Sequence, residues 1–554
     1  VTWAERSLLA AWLETLLLAG LFGLALLLRL PYLTAAPELS DEIWELDLAS
    51  QVYQGTPLLV AHDAYVGALP LYLVAAVWRI LGVDPALPRV LSLLFGAATV
   101  PALYLLGREL HGRAAGLAGA LLLASSGFHI LVISHVGWAY CWSVFFLLAG
   151  CAALARVGRR GSGPALALAG LLFGLAAEIH LLAGLLFPGA LAWLLWRHPA
   201  LLRTRWAALG LALFLAATSM FLVYNAQTNL GTLRGIQLAR TRDTHAGAPG
   251  LAEYLRNLQH AAPPLGQVLA GTVSLEGPSA SEQAAGAAAL TLAALALGQQ
   301  ARRGNPLPLL IAAPALLALP ALNNRYSLPL DGRYFVPMGA LVDVALGGLL
   351  ADLLARMRLM HPGAPAVACG AAVAGAALLS VPSLLALASY YHAVDARGSH
   401  TAVLYAAAAR VRAIRQPGEP LRLDTRTQDE LPGAGDQYYA LRALLKSQGQ
   451  EFAPVEANEA WLNWVRARHW HGLVLLNCAT LQLASKEPRV ERIPIPGQPG
   501  GGCFAVGLAR FGRAGHRYRV RITEASAPGG KGRAVATPWP ERVATSRAAR
   551  SEPA

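Results

Sequence analysis

A chain of 554 residues that is 55% hydrophobic and only 14% charged is too apolar for a soluble enzyme of its length and belongs to the membrane class. The formal net charge of +13 is carried almost wholly by arginine, in short connections between apolar runs and in the last thirty residues, which argues against a nucleic-acid partner and its basic, aromatic-studded face. The five cysteines lack metal-type spacing: Cys141, Cys151 and Cys369 lie in apolar runs, while Cys478 and Cys503 lie in the polar C-terminal part, where a disulfide and unpaired burial are both open.

A spanning helix needs about 20 apolar residues. About eleven runs meet this: 7–28, 87–107, 114–133, 137–155, 163–177, 180–196, 206–224, 284–299, 306–322, 333–351 and 364–389. Arginines cluster in alternate connections, at Arg108 and Arg113, Arg156 to Arg160, Arg197 to Arg205, Arg302 and Arg303, and Arg356 and Arg358. By the positive-inside rule these connections and the N-terminus with Arg6 are cytoplasmic. The loops 30–86, 134–136, 178–179, 225–283 and 323–332, and everything after 390, then lie outside. The expected location is the plasma (inner) membrane. The first run is longer than the usual signal-peptide core, so it is read as a span and not as a cleaved leader.

The first outer loop, 30–86, follows Arg29-Leu30-Pro31-Tyr32. Ser40 is a good N-cap, which places Asp41 and Glu42 in the first turn of a helix along the membrane surface that continues through Trp44, Ala49 and Tyr53. Acidic residues there are stabilised by the helix dipole, so ordinary capping is one reading of the pair. Further on come His62-Asp63-Ala64-Tyr65-Val66-Gly67-Ala68-Leu69-Pro70-Leu71-Tyr72, then Pro88-Arg89 and Gly107-Arg108, and then Ala139-Tyr140. Glu178 and His180 flank a short outer turn, and ionisable residues at membrane depth are functional candidates by default. His129 and His135 read as packed or headgroup-facing side chains. The long loop 225–283 holds Arg234, Arg240, Arg242 and Asp243, with a helical stretch near 251–260, and loops of that length commonly serve as lids. Asn324-Arg325-Tyr326 and Asp331-Gly332-Arg333-Tyr334 precede a late span.

Beyond 393 the charged fraction rises and turn signals such as Gln416-Pro417-Gly418 punctuate short apolar runs, as in a small α/β domain over 393–522. Its expected strands are Leu421–Leu423, Leu473–Asn477 and Cys503–Ala509, with helices near 436–447 and 457–468. The tail 523–554 has little to bury and reads as disordered.

The stretch Arg29–Tyr53, with Asp41-Glu42 directly after the first span, resembles the first outer loop of the GT-C superfamily of membrane glycosyltransferases, which includes protein O-mannosyltransferases (glycosyltransferase family 39) and the aminoarabinose transferase of lipid A. The likeness extends in part to the 62–72 loop, to Pro88-Arg89, to Ala139-Tyr140 and to Arg333-Tyr334-Phe335-Val336-Pro337, over roughly residues 7–390. One departure stands out. Where many relatives carry an arginine two residues before the tyrosine of the fourth span, this chain has Trp138, which leaves Arg333 as the better candidate for the donor phosphate.

That resemblance implies a polytopic α-helical GT-C-like fold, a polyprenyl-phosphate sugar as donor, and attack by an acceptor of a protein, lipid or glycan on the anomeric carbon. Such a reaction needs a carboxylate to take the acceptor's proton and cations for the leaving phosphate. Asp41 is the candidate base. Glu42 either orients the acceptor or caps its helix. His62, Asp63 and Tyr65 belong to a second loop that forms a polar wall, ligates a divalent metal together with Glu42, or is simply solvated; no metal or other cofactor is assigned. Tyr140, His180, Arg333 and Tyr334 are the remaining binding candidates, and for Arg333 the competing reading is contact with lipid headgroups. A lipid or glycan transporter is the rival from another class, but transporters set their essential charges at mid-bilayer. An inactive GT-C-like scaffold subunit is the other alternative.

Overall fold

A computed structural model of the chain describes residues 3–33, 40–242, 250–274, 278–322, 332–360, 380–394 and 408–424, and then 441–442, 444–446, 448–455, 460–461, 463, 472–476, 490–492 and 507–511. Two units are distinguished: the first comprises Val1–Ala402 with 443–450, and the second comprises Val403–Arg442 and Glu451–Ala554.

The first unit is helical throughout. In chain order its helices are α1 (Trp3–Arg29), α2 (Ser40–Tyr53), α3 (Leu69–Leu81), α4 (Leu87–His111), α5 (Arg113–Ser125), α6 (Gly127–His129), α7 (Tyr140–Arg160), α8 (Gly163–Ile179), α9 (Phe187–Arg197), α10 (Arg205–Ala217), α11 (Ser219–Gln227), α12 (Gly231–Arg242), α13 (Leu251–Ala270), α14 (Ala280–Arg302), α15 (Leu307–Leu322) and α16 (Val336–Met360). A further helix, α17, covers 380–394. Where about eleven spans are expected, five described helices are long and apolar enough to cross a bilayer, and seven result if each of two bent pairs counts as one crossing. Three of the expected spans are shorter apolar helices, Gly163–Ile179, Leu181–Arg197 and Leu307–Leu322, and the fourth is the last one. His180 takes an extended conformation and stops α8 after 17 residues. The last expected span, 364–389, lies partly outside the described residues.

The bent pairs show how the chain satisfies backbone that lipid will not solvate. At the bend of 60° between α5 and α6, which runs on into a π-helical turn over Ile130–Ser134, the carbonyls ending α5 have lost their helical donors. The fully buried Arg29 donates to Ala124 O at 3.0 Å and Leu123 O at 3.4 Å. On the other side of the bend, Gly127 N–H donates to Ser383 Oγ at 2.7 Å and Phe128 N–H to Gly271 O at 3.0 Å. His129 and His135 belong to this lattice: His129 Nδ1 is 3.0 Å from Arg29 Nη2, and His135 bridges Arg29 O and the Tyr391 hydroxyl. The C-terminal end of α1, from which the loop 30–86 departs, is thereby fixed. The second bend, 61° at Thr218, separates α10 from α11.

Between α2 and α3, residues 60–67 double back on themselves and pair with the turn after α8. Val60 bridges Gly67, Val66 bridges His180, and Leu181 N–H donates to Tyr65 O at 3.0 Å. Gly67 is required there, since a Cβ would stand 1.6 Å from Glu178 O. The loop 225–283 is more helical than expected: α13 runs well past 260, and α12 precedes it after a tight corner in which Asn229 and Leu230 both have positive φ. Asn225 ties that corner to Thr232 through two hydrogen bonds, and Gly235 of α12 rests against Ala64.

The second unit contains a five-stranded sheet, β1 (Leu421–Asp424), β2 (Ala453–Val455), β3 (Gly472–Leu476), β4 (Val490–Arg492) and β5 (Gly507–Phe511), in the order β2-β1-β3-β5-β4. β1 is parallel to β2 and β3, whereas β5 is antiparallel to β3 and β4. β2 and β4 are too short to carry a readable alternation and were not expected; β5 overlaps its expected position over 507–509 and runs on to Phe511. Helix α18 (408–414) precedes β1. Cys478, Cys503 and the tail lie outside the described residues, as do most of the two expected helices of this unit.

Candidate active site

Helix α2 opens with Asp41 and Glu42 in its first turn, as expected, although the Ser40 side chain lies outside the described residues. The two acids point to different partners. Asp41 Oδ2 accepts from Arg333 Nη1 at 2.9 Å, and its Oδ1 is 3.9 Å from His62 Nε2. About a fifth of the Asp41 side chain is exposed, so it remains reachable. Glu42, one residue on, turns inward to Arg89 of α4: Nε donates to Oε1 at 2.6 Å and Nη2 to Oε2 at 3.0 Å. Arg89 is fully buried, and a bidentate fork is the geometry in which such a pair offsets its desolvation. Gly137 N–H also donates to Glu42 Oε1, at 2.9 Å.

The second loop closes the other side of Asp41. His62 Nε2 is 3.6 Å from Asp63 Oδ2, and the Tyr65 hydroxyl donates to the same oxygen at 2.8 Å. Burial and the neighbouring Asp63 carboxylate push the Tyr65 hydroxyl well above its ordinary range, so it stays a donor. The expected grouping of Glu42 with His62 and Asp63 around a metal does not form, because Arg89 draws Glu42 away. Among the described residues no three His, Cys, Asp or Glu side chains are grouped to hold a metal ion.

Arg333, in the short turn Gly332–Phe335 before α16, joins this acidic edge to an aromatic cluster. Its guanidinium lies 4.3 Å over the Trp138 ring and 5.1 Å from the Tyr334 ring, and Nη2 donates to the Tyr334 hydroxyl at 3.1 Å. Trp138 stacks on Tyr140 at 4.8 Å, and His180 meets Tyr140, Tyr65 and Trp138 edge-on. Tyr140 is 6.1 Å from Tyr334. These two tyrosines line a narrow crevice of ≈ 10 Å³, whose walls turn apolar with Leu147, Leu182, Leu186 and Leu319.

The sequence of residues 67–224 matches the family model described as dolichyl-phosphate-mannose-protein mannosyltransferase. Among solved structures, the chain is similar to ArnT from Cupriavidus metallidurans bound to undecaprenyl phosphate, with a TM-score of 0.56 and 12% identity over 90% of this chain and 97% of that one. The apo state of the same protein gives a TM-score of 0.52 with 13% identity, covering 91% and 98%. The Archaeoglobus fulgidus oligosaccharyltransferase gives 0.48 with 14% identity, covering 86% and 73%. No curated protein matches the chain. Over residues 67–224 the sequence is similar to that mannosyltransferase family, and the fold is similar to that of the ArnT structures.

The matched stretch carries Arg89, Trp138, Tyr140 and His180, while Asp41, Glu42, His62, Asp63 and Tyr65 precede it and Arg333 and Tyr334 follow. All nine site residues singled out in the sequence lie in the first unit, and eight of them share one neighbourhood, linked in turn by the contacts above. Glu42 is the ninth, a buried strut. Three participants escaped notice as site residues. Arg89 was seen only as part of a span; a lone arginine just inside an apolar run was the available signal. Trp138 was noticed only for the arginine it replaces, yet it carries the cation that Arg333 brings from elsewhere in the chain. Glu45 was overlooked altogether, although it falls four residues after Asp41 on the same helical face.

Proposed function

We propose that the protein transfers a sugar from a polyprenyl-phosphate donor to an acceptor on the extracytoplasmic side of the plasma (inner) membrane, with Asp41 as general base. The observation that carries this reading is the Asp41–Arg333 pair, a proton acceptor and a phosphate-binding cation 2.9 Å apart, with Arg333 bonded to Tyr334, which lines an apolar crevice. The likeness in fold to an ArnT bound to undecaprenyl phosphate supports the lipid-phosphate donor.

In the proposed step the acceptor oxygen forms a bond to the anomeric carbon as its proton passes to Asp41. The bond from that carbon to the phosphate oxygen breaks, and the electron pair leaves with the polyprenyl phosphate. Arg333 meets the negative charge that grows on that oxygen, where its planar fork binds two oxygens at once. Tyr65, held protonated, and His62 frame the acceptor side, while Trp138, Tyr140, His180 and Tyr334 offer faces on which a sugar ring stacks.

The deciding experiment measures sugar transfer in membranes with Asp41→Asn, which keeps the side chain's shape and removes the base. A loss of roughly 10²–10⁴-fold is expected. Undiminished transfer by folded Asp41→Asn protein would overturn the assignment.

A further inference from the structure

Glu42 and Glu45 grip the backbone on the two sides of a single residue. Gly137 N–H donates to Glu42 Oε1 at 2.9 Å, and Ala139 N–H donates to Glu45 Oε2 at 2.8 Å. Between them stands Trp138, the ring under the Arg333 guanidinium. The contacts therefore close a circuit: α2 carries Asp41, Asp41 holds Arg333, Arg333 rests on Trp138, and Trp138 is returned to α2 by two carboxyl groups.

The two grips differ. Glu42 is neutralised by Arg89, but Glu45, only 5% exposed, has no cation paired with it among the described residues, and its Oε1 is buried without a hydrogen-bond partner. An apolar side chain would fill that volume at lower cost, because a buried carboxyl lacking a full set of partners is destabilising. What an apolar side chain cannot do is accept the N–H of Ala139, the N-cap residue of α7.

We infer that Glu45 is a positioning residue for the donor-phosphate site: it fixes Trp138 through the Ala139 amide, and Trp138 in turn sets where Arg333 meets the phosphate. This rests on the reading of Arg333 given under the proposed function. A side chain that only supported the fold would lower stability without coupling to Arg333.

The test measures binding of undecaprenyl phosphate to the full-length protein in phosphatidylcholine nanodiscs, for wild type, Glu45→Ala, Glu45→Gln, Arg333→Ala and the double variant Glu45→Ala/Arg333→Ala. Glu45→Ala and Arg333→Ala are each expected to weaken binding about tenfold, as for loss of one well-placed polar contact. The double variant should bind no worse than Arg333→Ala alone, since both changes act on one contact. Glu45→Gln, whose amide oxygen still accepts from Ala139, should stay within about twofold of wild type. Should Glu45→Ala fail to fold, Glu45→Asp, one methylene too short to reach Ala139, takes its place. Wild-type affinity in Glu45→Ala beside weakened Arg333→Ala, or full additivity in the double variant, overturns the inference while leaving Arg333 in place. Wild-type affinity in Arg333→Ala removes the reading of Arg333 and the inference with it.

Discussion

Asp41 is held between a guanidinium and an imidazole: Arg333 Nη1 stands 2.9 Å from one carboxylate oxygen, and His62 Nε2 stands 3.9 Å from the other. In the proposed reaction a donor phosphate entering above Trp138 competes with Asp41 for the same guanidinium, which would couple donor binding to release of the base.

The planar fork is central to that exchange. Arg333→Lys keeps the charge but gives up both the stacking on Trp138 and the simultaneous reach to Asp41 and Tyr334. We expect it to lower kcat/KM for the donor by roughly 10–100-fold, and Arg333→Ala by more. Steady-state kinetics with varied donor checks this; equal rates for the lysine variant and wild type would show that charge alone suffices.

The Glu42–Arg89 pair makes a different kind of claim, about stability. Removing one partner of a buried pair strands the other charge, which costs about 3–5 kcal/mol, whereas removing both is far milder. Glu42→Ala should lower the thermal midpoint sharply, and Glu42→Ala/Arg89→Leu should recover much of the loss. Differential scanning fluorimetry on the purified protein measures both, and equal destabilisation of the single and double variants would refute the coupling.

How far the sequence foretold this arrangement follows the range of its signals. Apolar runs and alternating arginines are local properties summed over many residues, so the helical class and most helix positions were readable. The number of full crossings was less so, because the bend at Ser126 depends on distant groups, Arg29 and Ser383, that satisfy the opened backbone. Asp41 was legible from its place after the first span. That Arg333, 292 residues away, would hold it was expressed nowhere locally, and neither was the turning of Glu42 to Arg89.

Glu45 gives the protein a pH dependence of known sign. Burial, and then the nearby Asp41 and Glu42 carboxylates, raise its proton affinity well above the ordinary carboxylate range, although the Ala139 amide opposes this. The groups facing it are Asp41 and Glu42 on its own helix, and the Cys141 thiol and Ala139 amide from α7 and its N-cap. In the unfolded chain Glu45 releases its proton near pH ~4.3, while in the native protein it keeps it. Its contribution to stability is therefore full below that pH and is lost progressively as pH rises towards the raised native value. Thermal midpoints from pH 5 to 9 should fall more steeply for wild type than for Glu45→Gln. Parallel curves would mean that Glu45 is ionised in the native protein.

Helix α12 supplies the last expectation, because it meets the second loop at one glycine. A Cβ on Gly235 would come 2.6 Å from the Cβ of Ala64, between His62-Asp63 and Tyr65, so a larger side chain there must lift α12 or push the loop. The corner before α12 is stiff, with Asn229 and Leu230 at positive φ and Asn225 bonded to Thr232, which favours displacement of the loop. Movement of Asp63 and Tyr65 would disturb the acceptor side and leave Arg333 and its phosphate contact intact. Gly235→Val should therefore raise KM for the acceptor several-fold while donor affinity stays within about twofold, a difference of less than ~0.5 kcal/mol. Kinetics with each substrate varied in turn, alongside undecaprenyl phosphate binding, separate the two effects. A matching loss of donor affinity would show that α12 supports the whole site and not its acceptor wall.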